Sequence, residues 1–313
     1  MRPDHRLSLR LALALAVAIT GCAPGAPPVA PTAPDAIPES TVTGGAMLEE
    51  WAREGEHVVS PPLEAHDGAT RVGLLVVLHG PGPVPHIEVR GVDEAGRAGA
   101  WSRLETTFEE SDQAVQRLDL SFVAHRAELR MDAVDAARVA TLTWSALVPP
   151  PALGAAAPPQ VGLAREALRA ELRTLGVRDR ASWGARATRC TGLDPVKTRM
   201  AIHHTATPSG GDPGSRLRGI QAYHMDTNGW CDIGYHFLVS LDGTLWEGRE
   251  LELLGTHVAA NNTGNIGISF IGCFQTSGCS TWTPFTPPDA MIERIRPSSA
   301  CRLSPGHSVP WSG

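Results

Sequence analysis

The pattern of apolar residues changes across the segment PPPALGAAAPPQ, residues 149–160, and this change restricts the fold more than any other feature of the chain. Before it come short apolar or β-branched runs, RVGLLVVLHG, HIEVRGV, QRLDLSFV, AELRMDA and VATLTWSALV, separated by Gly, Pro and Asp. Their spacing suits the short strands of an all-β sandwich. After it, VGLAREALRAELRTLG sets Leu163, Ala167, Leu168, Leu172 and Leu175 at helical spacing, and strand and helix patterns then alternate. The Pro/Ala-rich stretch between them carries too little apolar area to fold and reads as a linker. With 313 residues, of which 42% are hydrophobic, two cores are affordable. The expectation is a smaller β-rich accessory domain over 47–148 and an α/β domain over 161–313.

The first ten residues carry three arginines, and the apolar run LALALAVAIT that follows is too short to span a bilayer as a stable helix. Residues 1–22 therefore read as an export signal. The run ends in ITGC, which resembles the lipobox of bacterial lipoproteins, and that resemblance implies lipidation of Cys22. An ordinary signal with an incidental cysteine is the alternative. Residues 23–46 begin Pro/Ala-rich and read as an extended tether. The resulting expectation is an exported chain in the cell envelope, anchored to the membrane through lipid, with the outer membrane and periplasm favoured by Ala23 after the cysteine.

Charge narrows the partners. The whole chain has a formal charge of −6, and removing residues 1–21 takes away three arginines and one aspartate, leaving −8. A nucleic-acid partner is disfavoured, and a monomer is expected. Export permits disulfides, with Cys273 and Cys279 closing the short loop CFQTSGC and Cys190 with Cys231 as the second candidate pair, which leaves Cys301 odd. Trp101 is a candidate sugar platform in the β-domain, although a lone Trp in such a domain more often fills the core.

Within the α/β part, a strand runs into His203 and His204, a helix from Ser215 turns Leu217, Ile220 and Tyr223 inward, and NIGISFIG forms a buried strand. Between YHFLVS and TLWEGR, Asp242-Gly243 signals a type I′ hairpin turn, which needs positive φ at both central residues. Adjacent histidines on a strand point to opposite faces, so only one of His203 and His204 can serve a given site.

Four stretches, RASWGAR, AIHHTAT, AYHMDTNGWCDIGYHFLVSLDGTLWEGRE and GTHVAANNTGNIGISFIG, keep a common order and spacing from about Arg180 to Phe274. Together they resemble the zinc-dependent N-acetylmuramoyl-L-alanine amidases and peptidoglycan recognition proteins. The resemblance implies a mixed central sheet flanked by helices, peptidoglycan as partner and Zn2+ as cofactor. It puts a zinc ligand at His203 and the group that stabilises the reacting carbonyl at Tyr235, and it sets His257 and Asn262 beside the substrate groove. His204 reads as groove-lining; His224 and His236 read as structural or groove-lining. Trp246, Glu247 and Arg249 read as groove supports. The chemistry agrees: amide hydrolysis at neutral pH needs an activated water and a donor for the developing oxyanion.

The resemblance weakens near the C-terminus. The family closes its zinc site with a GH histidine followed eight residues later by a cysteine, whereas here PGHSVPWSG ends six residues after His307. Pro297 also breaks the helix pattern that starts at Asp289. Either His307 is the second metal ligand, or the sequence after about Glu293 is unrelated and His307 matches by chance. The expectation is therefore an amidase that cleaves the bond between N-acetylmuramic acid and L-alanine, with a non-hydrolytic peptidoglycan-binding module or an inactive amidase as the alternative.

Overall fold

The computed structural model describes residues 42–43, 51–149, 162–194, 196–274 and 286–295. Cys22, Cys279, Cys301 and His307 lie outside the described residues, as do residues 1–41, 44–50 and 150–161.

The first part is a nine-stranded antiparallel sheet. Its strands are β1 (Val42–Thr43), β2 (Ala52–Glu54), β3 (His57–Val59), β4 (Leu63–Leu78), β5 (Ile87–Val92), β6 (Ser102–Arg103), β7 (Glu105–Glu110), β8 (Gln113–Asp132) and β9 (Val139–Leu147). One turn of helix, α1 (Ala133–Ala136), links β8 to β9. QRLDLSFV and AELRMDA, expected as two strands, are one: β8 runs through both. It pairs with β4 and β3 along one edge and with β7 and β5 along the other. Register shifts between Glu64, Ala69 and Arg71 let β4 bend against it. Val72, Leu74, Val76 and Leu78 of β4 join Ile87, Leu129, Met131, Leu142 and Trp144 in one buried cluster, so strands far apart in the sheet share a core and the sheet curls over it.

Trp101 is neither core nor a free platform. It lies over the guanidinium groups of Arg90 and Arg130, 4.5 and 4.6 Å from its ring centroid. Those arginines pair with Glu128 and Glu88 on the neighbouring strands. Cation–π contact explains an amphipathic ring at this half-buried place.

The second part begins with α2 (Gly162–Thr174), whose Leu168, Leu172 and the following Leu175 pack inward as the periodicity predicts. Strands β10 (Arg199–His204), β11 (Phe237–Val239), β12 (Leu245–Glu247) and β13 (Asn265–Phe270) form a four-stranded sheet in the order β10, β13, β11, β12. The β10–β13 and β13–β11 pairs are parallel and β11–β12 is antiparallel, which makes the sheet mixed. All six residues of β13 are buried, as befits the centre of a covered parallel ladder. α3 (Pro213–Ala222) covers one face and α4 (Asp289–Ile295) sets Met291 into the core on the other. Asp212 caps α3, accepting from the Ser215 N–H with Pro213 at the first helical position.

The turn at Asp242-Gly243 differs from expectation. Gly243 has positive φ and Asp242 does not. Asp242 instead accepts from the Ser240 hydroxyl and from the Thr244 N–H and hydroxyl, so a carboxylate holds a longer loop in place of a two-residue turn.

The two parts share a tight junction. Along β4 the parity opposite to its own core presents Leu75 and Val77, which cluster with Val115, Trp183, Leu217, Ile220 and Tyr223. Gly73 precedes Leu75 by two residues on that same face, and a Cβ there would lie 1.8 Å from Thr227 Cγ2, so only glycine admits this approach. Gln113 donates to the Ser215 carbonyl, Arg117 to the Asp226 carbonyl, and Arg218 pairs with Glu110.

Candidate functional site

The site forms where β10, the segment before β11 and the loop before β13 meet. His203, the penultimate residue of β10, is in register with Ser269 of β13 and hence on the same face. The ring of His203 lies 5.4 Å from that of Tyr235 and 5.2 Å from that of His257, and its Nε2 is 3.2 Å from His257 Nδ1.

His257 has a defined tautomer. Its Nε2 lies 3.3 Å from the Asn265 carbonyl, which can only accept, so Nε2 carries the proton and Nδ1 offers a lone pair toward His203. Burial pushes the pKa of His203 down to about 4 and that of His257 down to about 3, with each imidazole opposing charge on a neighbouring histidine. Both are neutral near pH 7. Gly267, on β13, gives the His257 ring its room: a Cβ there would fall 2.6 Å from the ring.

Asn262 stays within its own loop. Its Oδ1 accepts from the His257 and Val258 N–H groups at 2.8 and 2.9 Å, and its Nδ2 donates to the Ala259 carbonyl. The residue is almost fully buried, and its work is to hold His257. His204 accepts from the Phe274 N–H through Nδ1 and turns toward a cavity that Tyr235 also lines.

Arg249 braces this arrangement from beneath. It is 1% exposed, yet it donates to the carbonyls of Ile233 and Asp232 at 2.8 and 3.0 Å and to Thr256 Oγ1 at 2.7 Å. One guanidinium thus ties the segment carrying Tyr235 to the segment carrying His257, with Gly234 and Thr256 also joined through their backbones. Glu247, the neighbouring support, accepts from the Arg180 N–H, and burial raises its pKa. His236 accepts the Gly267 N–H at Nδ1 and donates from Nε2 to the Leu253 carbonyl, a structural role. Cys190 and Cys231 form a disulfide that staples the segment before β10 to the start of the Tyr235 loop. Cys273 is disulfide-bonded as well.

A cavity of about 170 Å3 opens beside Tyr235. It is lined by His204, Tyr223, His224 and Asn228 from the α/β part and by Leu75 and Thr143 from the β-sheet. The sequence reading assigned the sheet no part in the site. The available signal was the run VGLLVVL, apolar at both parities, which means a strand buried on both faces.

The donors suit zinc in kind. Neutral imidazoles are its usual ligands, and two ligands at 2.0–2.1 Å on a tetrahedral ion stand about 3.3 Å apart, close to the His203–His257 separation. Among the described residues no group of three His, Cys, Asp or Glu side chains gathers to complete such a set.

The N-acetylmuramoyl-L-alanine amidase family matches over residues 194–304. The chain is 42% identical over 102 residues to peptidoglycan-recognition protein SC2 of Drosophila simulans, covering 31% of this chain and 55% of that protein. It thus spans about half the length of that relative. Peptidoglycan recognition protein 1 of Bos taurus is 33% identical over 137 residues, which cover 42% of this chain and 67% of that protein. The crystal structure of peptidoglycan recognition protein LE in complex with tracheal cytotoxin matches with 31% identity and a TM-score of 0.33, over 38% of this chain and 68% of that one. The chain belongs to the family of peptidoglycan recognition proteins and type 2 N-acetylmuramoyl-L-alanine amidases.

Proposed function

We propose that this protein binds peptidoglycan in the groove around His203, Tyr235 and His257 and hydrolyses the amide between N-acetylmuramic acid and L-alanine. The observation that carries the reading is the proximity of the Tyr235 ring to His203, at 5.4 Å, beside a cavity large enough for part of a ligand. Tyr235 donates its phenolic hydrogen to the amide oxygen as negative charge builds there, a contribution of roughly 3 kcal/mol for a well-placed donor. His203 binds through a neutral nitrogen, and His257, held by Asn262 and Asn265, fixes its orientation. Zinc, with His203 as one ligand and His307 as the second, would supply a water of lowered pKa and polarise the carbonyl. We also propose export and attachment to the envelope membrane through Cys22, on the basis of the ITGC stretch.

A second reading, binding without hydrolysis, is favoured by the contact of His203 Nε2 with His257, which occupies a metal-binding nitrogen with another side chain. Incubation of the purified full chain with sacculi separates the two. Release of free L-alanyl N-termini is expected, and sedimentation with sacculi without any release would leave the binding module.

A further inference from the structure

We propose that the β-sheet domain is part of the ligand site: Thr143 and Leu75 form a wall of the cavity beside Tyr235, which takes a compact, uncharged acylamino or hydroxyacyl group of the ligand and rejects its acidic end. The inference rests on the reading of this groove as a peptidoglycan site.

The sheet is held too closely for its presence there to be incidental. β9 alternates: Leu142, Trp144 and Ala146 enter the sheet's own core, whereas Thr141, Thr143 and Ser145 take the opposite parity. That second face is the one Leu75 and Gly73 share, since Leu75 pairs with Thr143 and Gly73 with Ser145. Ser145 bonds Asn228 at 3.0 Å, Arg117 bonds the Asp226 carbonyl at 2.8 Å, and Gly73 receives the Thr227 methyl. The turn of π-helix at Tyr223–Thr227 is thereby locked onto the sheet, and it is this turn and the following Asn228 that face Thr143 across the cavity. The family model matches residues 194–304, none of which lies in the β-sheet domain, so this wall comes from outside the matched segment.

The lining sets the class of group. No Asp, Glu, Lys or Arg among the described residues lines the cavity. His224 is also neutral: its Nδ1 accepts from the Gly234 N–H, so the proton sits on Nε2, and the ring is buried. A carboxylate there would lose its water without gaining a lysine or arginine partner. Hydroxyl, amide and imidazole groups instead match the donors and acceptors of an amide or a hydroxyl, while Leu75, Ile220 and Ala206 meet a methyl group. At about 170 Å3 the cavity has room for an acylamino group.

The test uses the purified full chain and N-acetylmuramoyl-L-alanyl-D-isoglutamine in a calorimetric titration, with melting temperature as the control for folding. Thr143→Val keeps the shape and deletes the hydroxyl, and about three- to tenfold weaker binding is expected. Thr143→Met fills the cavity and is expected to weaken binding by about tenfold or more. Wild-type affinity in Thr143→Val, with an unchanged melting temperature, overturns the inference even if the larger variant misfolds. Failure of the wild-type chain to bind this ligand and sacculi overturns the peptidoglycan reading itself, and the inference with it.

Discussion

His203 Nε2 stands 3.2 Å from His257 Nδ1, and the Asn265 carbonyl fixes the tautomer that turns the lone pair of His257 toward His203. Two neutral imidazoles, one from a strand end and one from a loop, thus share a point in front of Tyr235. His203 is the proposed metal donor of the two and His257 orients it, so loss of the His203 ring is not made good by its neighbour. The purified full chain is expected to carry about one zinc per molecule, and His203→Ala should bring that ratio to near zero. Metal analysis of both proteins checks it; equal zinc content in the two would remove His203 from the ligand set.

Tyr235→Phe deletes one hydroxyl and keeps the ring that packs beside His203 and His224. Hydrolysis of sacculi is expected to fall by about 10²–10³ in kcat, the usual loss for one oxyanion donor, with binding to sacculi retained. Turnover equal to wild type would show that the phenol takes no part in the reaction.

Burial pushes the pKa of His224 down to about 3, with Arg249 adding to it, and burial followed by the nearby Lys197 holds His236 well below the ordinary histidine value of 6.5. The unfolded chain takes up these protons near pH 6.5, while the folded chain resists them. Their contribution to stability is therefore complete above pH 6.5 and is lost as the pH falls toward 3. Denaturant midpoints should decline steadily from pH 7 to pH 5, before ordinary carboxylates titrate; a flat profile over that window would contradict the neutral, buried state of both rings.

At the junction, Gly73→Ala drives a methyl group to within 1.8 Å of Thr227 Cγ2. The expected cost is about 1–3 kcal/mol, seen as a lower melting temperature. Thr227→Ala in the same chain should recover part of the loss, because its Cβ would still lie 2.8 Å away. A double-mutant cycle with no coupling would mean the two parts separate easily in solution.

Cys190 and Cys231 close a loop with a sequence separation of 41. Replacing both by serine is expected to cost about 2–4 kcal/mol by releasing the unfolded chain, measured as a shift in denaturant midpoint. No shift would mean that the hydrogen bonds of the Tyr235 loop, from Arg249 above all, hold it without the staple.

Much of this protein could be read along the chain because the signals are local. Leucines at helical spacing give α2, the apolar run at 265–270 gives β13, and the order of HHT, DIGYHF and GTH motifs marks His203, Tyr235 and His257. The expected Cys190–Cys231 disulfide is present, whereas the loop at Asp242 departs from the Asp-Gly signal because its carboxylate, not its backbone, shapes the loop. Other features depend on residues far apart in sequence and have no local signature. Asn262 makes three bonds within its own loop that its position in the motif does not announce, and Arg249 joins segments that only folding brings together. The docking of β4 on α3 is the clearest case. The run VGLLVVL announces two buried faces through its side-chain parity, but what covers the second face, and hence the wall that Leu75 and Thr143 give the cavity, follows from packing between elements about 150 residues apart, which a pattern of alternation along one strand cannot specify.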